Sequence, residues 1–86
     1  SFFSNPALMT LADPMDGRLI EVNSTFVLAT GYAREEALGR STVELGLWVD
    51  EVQRDRFIRL VQANGSARDF EAQFRSRAGA LRHVLL

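Results

Sequence analysis

Asp13 to Gly39 constrains this chain more than any other stretch, because a turn, a strand, a capped helix and a glycine stop follow one another without a spacer. Asp16-Gly17 is a tight-turn dipeptide, and glycine there supplies the positive φ that residues with a Cβ resist. Leu19-Ile20-Glu21-Val22 has the apolar and β-branched content of a short strand. Asn23 and Ser24 are both good N-caps, since their side-chain oxygens accept from the unpaired N–H groups of the next turn. Phe26 to Thr30 carry the helix and Gly31 ends it in the C′ position, with Tyr32 placed to pack back on the last turn. Arg34 to Leu38 adds roughly one more turn, which Gly39 closes.

The flanking segments fit around this unit. Ala7 to Ala12 reads as a strand with Leu8, Met9 and Leu11, broken by Asp13-Pro14, so that it forms an antiparallel hairpin with Leu19–Val22. Phe2 and Phe3 precede Asn5-Pro6 and belong either to an incoming linker helix or to the edge of the core. Ser41 to Leu45 reads as a further helical turn leading into Gly46-Leu47-Trp48. Asp50 opens the longest helix, with Gln53 three residues on as a capping-box partner. Phe57, Leu60 and Val61 share one face of it, Ile58 lies beside them, and Asn64-Gly65 ends it. Asp50 with Arg54 and Asp55 with Arg59 are acid-first i, i+4 pairs expected on its wet side.

Ala67 to Arg77 alternates cleanly, with Phe70, Ala72 and Phe74 on one face and Glu71, Gln73, Arg75 and Arg77 on the other, which is the pattern of a half-buried antiparallel strand. Ala78-Gly79 turns the chain into a last strand, Ala80 to Leu86, where Val84 and Leu86 lie on one side and Leu81 and Leu85 on the other. A strand apolar on both sides calls for cover on both. The expected architecture is α+β, with the order β-β-α-α-α-α-β-β and the helices gathered on one face of an antiparallel sheet.

At 86 residues the chain is expected to form a single domain over 1–86, near the small end of what folds without staples. It has no cysteine, so it has no disulfide framework, thiolate metal site or cysteine chemistry. Ten basic residues, all arginine, balance eleven acidic ones, and this near-neutral sum argues against nucleic acid, which calls for a clustered basic excess. No apolar run approaches the ~18 residues of a membrane span. The start at Ser1 and the end within an apolar strand at Val84-Leu85-Leu86 are read as cut ends of a larger protein.

Catalytic parts are scarce. Nucleophilic catalysis needs a base beside an activated nucleophile, and the one histidine, His83, has no serine in a nucleophile-elbow context to serve. Asp13 and Asp16 have turn-forming roles, and Glu35-Glu36 a helix-start role. Asp13 to Gly17 lacks the alternating oxygen ligands of a calcium loop, and His83 alone makes no zinc site. The expectation is a domain with neither catalysis nor a metal.

The run DGRLIEVN with Phe26, then Gly31-Tyr32 and Arg34-Glu-Glu-Ala-Leu-Gly-Arg40, resembles the PAS sensor domain. So do Leu45-Gly46-Leu47-Trp48 and the Phe74-to-Gly79 hairpin, and the resemblance extends from Phe3 to Leu86. It implies a fifth strand, central and beside the first, which this chain stops short of. It also implies a cytoplasmic, non-catalytic sensory or regulatory module of a bacterial signal-transduction protein. The attached output domain would be a histidine kinase or a cyclic-di-nucleotide enzyme, with the state passed on through dimer contacts. Two other readings stand beside this one: an association module without a ligand, and a redox sensor holding flavin non-covalently.

Haem held by a histidine on the long helix is not expected, because residues 50–64 contain none; cysteine-linked flavin or chromophore is excluded with cysteine itself. The candidate ligand pocket lies between sheet and helices and draws on Ile20, Val22, Asn23, Phe26, Thr30, Tyr32, Trp48, Phe57, Ile58, Val61, Phe70, Phe74 and Val84. Asn23, Thr30 and Tyr32 would orient a small molecule there, while Trp48, Tyr32, Phe57 and Phe74 would bracket a flavin ring; the same apolar side chains would also serve simply as core. Phe2, Phe3, Leu81 and Leu85 are the candidate contacts of a homodimer.

Overall fold

The computed structural model describes all residues, 1–86. The first hairpin pairs β1 (Thr10–Ala12) with β2 (Leu19–Val22), antiparallel. Asp13 and Asp16 build the connecting turn by accepting from the Met15 and Arg18 amides, the local side-chain bonding that suits aspartate to turns. Next come α1 (Ser24–Thr30) and α2 (Arg34–Ala37), a coil of turns over residues 42–46, and α3 (Glu51–Asn64). The chain closes with the hairpin of β3 (Glu71–Arg75) and β4 (Leu81–Leu85), extended one pair further by reciprocal bonds between Phe70 and Leu86. The third of the four expected helices is thus only a turn region, in which Ser41 and Glu44 bond each other's backbone and side chain.

The caps do what their chemistry predicts. Asn23 accepts from the Phe26 amide at the start of α1, and Gly31 ends that helix at φ 75° with its amide on the Val27 carbonyl. Asp50 caps α3 through the Val52 and Gln53 amides, and Gly65 closes it at φ 79°. Gln53 does not complete a capping box. Its Oε1 instead accepts from the Gln73 amide, 3.1 Å away on β3. Of the charges on α3, Arg54 pairs with its neighbour Asp55 at 3.2 Å, rather than the two i, i+4 pairs forming.

The two hairpins are separate two-stranded sheets rather than one continuous sheet, joined by the Leu8 amide donating to the Leu85 carbonyl at 2.8 Å. The remaining edge of β3 is covered: Arg75 donates to the Leu47 carbonyl, Trp48 bridges Phe74, and Gln53 takes the Gln73 amide. Such cover blunts an edge that would otherwise template pairing. The core is a single cluster that includes Leu8, Leu19, Val22, Phe26, Ala37, Leu45, Leu47, Phe70, Ala72, Phe74 and Val84. The alternation of Phe70, Ala72 and Phe74 translates directly into burial.

Two expected interior positions are wet. Ile20 is 51% exposed, because the β1–β2 register skips it: Leu11 faces Glu21 but Ala12 faces Leu19. That bulge gives β2 one extra residue, so Leu19 and Val22 point inward while Ile20, which simple alternation groups with Val22, turns out. Ile58 is 36% exposed, because α3 meets the core along a narrow stripe of Phe57 and Leu60 and buries no residue completely.

Candidate functional site

Where β2 gives way to α1, Asn23 is almost fully enclosed and all its polar capacity is used. Its Oδ1 accepts from the Phe26 amide at 3.1 Å and from the Met9 amide at 3.0 Å. Its Nδ2 donates to the carbonyls of Ala7 at 2.8 Å and Asn5 at 3.3 Å. Thr25 Oγ1 adds a bond to the Asn5 carbonyl, and the Ser24 amide one to the Phe3 carbonyl. One helix start therefore holds the whole approach segment.

Thr30, at the other end of α1, donates to the Phe26 carbonyl and accepts from the Tyr32 amide. Tyr32 donates its hydroxyl to the Leu45 carbonyl at 3.2 Å. The three polar side chains predicted to orient a ligand, Asn23, Thr30 and Tyr32, thus all bond within the chain, as buried polar groups generally must.

Beneath α3 lies an aromatic cluster. The Trp48 ring sits 4.9 Å from Phe74 and 5.4 Å from Phe57, and Phe57 sits 5.3 Å from Phe70, in the edge-on and tilted arrangements that ring quadrupoles favour. Trp48 satisfies its indole N–H on Thr42 Oγ1 at 3.0 Å. Val22, Phe26 and Val84 are buried in the same core, and Val61 is half-buried on α3. Nine of the candidates thus fall on or around this interior with Tyr32 at its border; Ile20 and Ile58 are exposed, and Val61 is half-buried without packing on the core. Leu8, Leu19, Leu45 and Leu47 join it without having been candidates; the Leu45 and Leu47 spacing around Gly46 was their one available signal.

The two principal depressions lie elsewhere on the surface. A groove of about 440 Å³ runs between the C-terminal turn of α1 and the β3–β4 turn, past Leu28, Ala29, Arg77 and Arg82. A smaller one of about 220 Å³ is bordered by Tyr32, Glu35, Glu36, Leu38, Arg40 and Leu45. Of the candidate ligand residues only Tyr32 touches either.

Electrostatics tie the helices to the hairpins. Arg34 at the start of α2 forks onto Glu21 of β2 with contacts of 2.6 and 2.8 Å. The Arg34 hydrogen bond, opposed by partial desolvation, holds the Glu21 carboxyl below the usual carboxylate range, and the same bond raises Arg34. Arg77, in the β3–β4 turn, donates its amide to the Thr30 carbonyl at 2.7 Å and its guanidinium to Glu36 at 2.8 Å. Glu36 Oε1 also takes the Ala33 amide, which is the helix-start role its position predicted. No three histidine, aspartate or glutamate side chains come together as a metal-binding group, and no helix is long and apolar enough to cross a membrane.

Of the dimer candidates, Phe2 and Phe3 pack edge-on against each other at 5.1 Å beside the start of α1. Leu81 and Leu85 stand on the outer face of β4, opposite Arg75 and Glu71. The four residues thus belong to two places rather than to one contiguous row.

Antiparallel hairpins, capped short helices and one longer helix laid over an aromatic interior define a small α+β domain. A family model described as the PAS fold matches residues 4–86, and the chain belongs to that family. Among solved structures it is similar to the PAS domain of an HTR-like protein from Haloarcula marismortui. The TM-score is 0.62 at 31% identity, over 95% of this chain and 66% of that one. The chain therefore spans just under two thirds of that relative's length. A search of curated proteins gives no match.

Proposed function

We propose that this domain is a non-catalytic sensory module of a signal-transduction protein. It passes a change of internal packing to an attached output domain, a histidine kinase or a cyclic-di-nucleotide enzyme, through contacts with a second copy. The observation that carries the reading is the seating of α3, which buries no residue completely and rests on the aromatic core by Phe57 and Leu60. An element held by a narrow apolar stripe has neighbouring packings close in free energy, and a ligand that favours one of them shifts the population toward it. The ligand class this interior suits is small and apolar, since its polar side chains already have partners.

That same internal satisfaction of Asn23, Thr30 and Tyr32 favours a second reading, an association module with no ligand. The two part on the melting temperature of the purified domain against a panel of small apolar metabolites. A ligand of the folded state raises it as concentration passes Kd; a panel without effect, and no molecule carried through purification, moves the assignment to association alone. An absorption spectrum tests the remaining flavin reading, and the expected result is a colourless protein.

A further inference from the structure

The outer face of the β3–β4 hairpin has a charge order that selects how it meets another surface, and this inference rests on the self-association part of the reading above. Glu71, Gln73 and Arg75 of β3 stand opposite Leu85, His83 and Leu81 of β4. The face is therefore acidic at one end and basic at the other, with Leu81 and Leu85 left 52% and 43% exposed. Arg75 has no carboxylate partner; its guanidinium reaches only the Gly79 carbonyl. Glu71 has the His83 ring at 3.4 Å, with both side chains nearly three-quarters exposed.

We propose that this face docks on a second copy of the chain about a twofold axis lying between the two sheets, across the strands and through His83. Such a rotation reverses strand direction and keeps β3 over β3 and β4 over β4. Glu71 then meets Arg75 of the second copy, Arg75 meets its Glu71, and Leu81 meets its Leu85. His83 falls on its own equivalent at the axis. The other twofold in the plane, along the strands, sets Glu71 over Leu85 and Arg75 over Leu81, which desolvates each charge against a leucine without a counter-ion. Isologous contact needs a self-complementary patch, and only the antiparallel arrangement makes this one so.

The test is the dimer dissociation constant of the whole chain, measured by sedimentation. Glu71→Arg and Arg75→Glu should each raise it about tenfold or more, because each sets like charges face to face at two symmetry-related points. The double variant should return to within about threefold of the parent, since the pairs are restored in reverse. A dimer indifferent to the single changes, or unrestored by the double, overturns this geometry and leaves self-association standing. A chain that stays monomeric at millimolar concentration removes both. Should a reversed variant lose its circular dichroism, His83→Cys decides: the chain has no other cysteine, so capture of a dimer by a short bis-maleimide is expected, and its absence overturns the proposal.

Discussion

The start of α1 and the body of α3 are held by opposite means. Around Asn23 the chain is fixed by directional bonds to residues 5, 7, 9 and 26, and Glu21 and Arg34 clamp β2 to α2. Under α3 the contact is a stripe of half-buried apolar side chains on aromatic rings, with one polar bond, from the Gln73 amide to Gln53. Directional bonds permit one geometry and lose most of their energy when it changes, whereas apolar packing tolerates small displacements. The domain therefore combines a fixed frame with an adjustable cover.

Substitutions at four positions press on that contrast. Asn23→Ala should have the largest effect, about 2–4 kcal/mol by urea unfolding, because it strands the amides of Met9 and Phe26 and the carbonyl of Ala7, while the Asn5 carbonyl keeps only Thr25. A loss under about 1 kcal/mol would mean that the frame is not fixed from this point. Gly31→Val should cost about 1–2 kcal/mol through its φ of 75° alone, since a Cβ there meets Arg77 Cβ at an ordinary 3.6 Å. Gly31→Asn should cost less, as asparagine adopts that conformation more readily.

On the cover, Phe57→Leu should cost less than about 1.5 kcal/mol, because the half-buried stripe can repack. If it matches Asn23→Ala, the distinction between frame and cover fails. Glu21→Gln should have the smallest effect of the set, a loss seen at neutral pH that closes in acid. The folded carboxyl lies below its ordinary range, so its stabilisation is present above the unfolded value near pH 4 and is lost as pH falls through the folded one. Melting temperature followed from pH 7 to pH 3 should fall less in the variant than in the parent.

Much of the fold was legible because its signals are local. Asn23, Gly31, Asp50 and Gly65 act within a turn of themselves, and each sits where its chemistry placed it. The Phe70–Ala72–Phe74 alternation was equally plain. Ile20 was misplaced because a period-two pattern carries no mark of an inserted residue, and the bulge is a property of the pair rather than of either strand. The side chains of Gln53 and Arg54 found partners other than Asp50, which the spacing had assigned to both, since on a surface helix such pairs differ by only a few tenths of a kcal/mol. The reach of Asn23 to residues 5–9 is tertiary, and its capping role alone did not announce it. The candidate pocket was the least legible part, because the same aromatic residues serve a filled interior and a hollow one.

Arg77 and Leu8 together give the second hairpin an unusual mechanical situation. Its turn is moored to Thr30 and Glu36, and its open end to Leu8, while the span between carries α3 on one side. At midspan, where Gln73 and His83 face each other across the strands, β3 is held by Gln53 and Val49 while the β4 side at His83 is left exposed, so the ribbon is moored along one strand and free along the other.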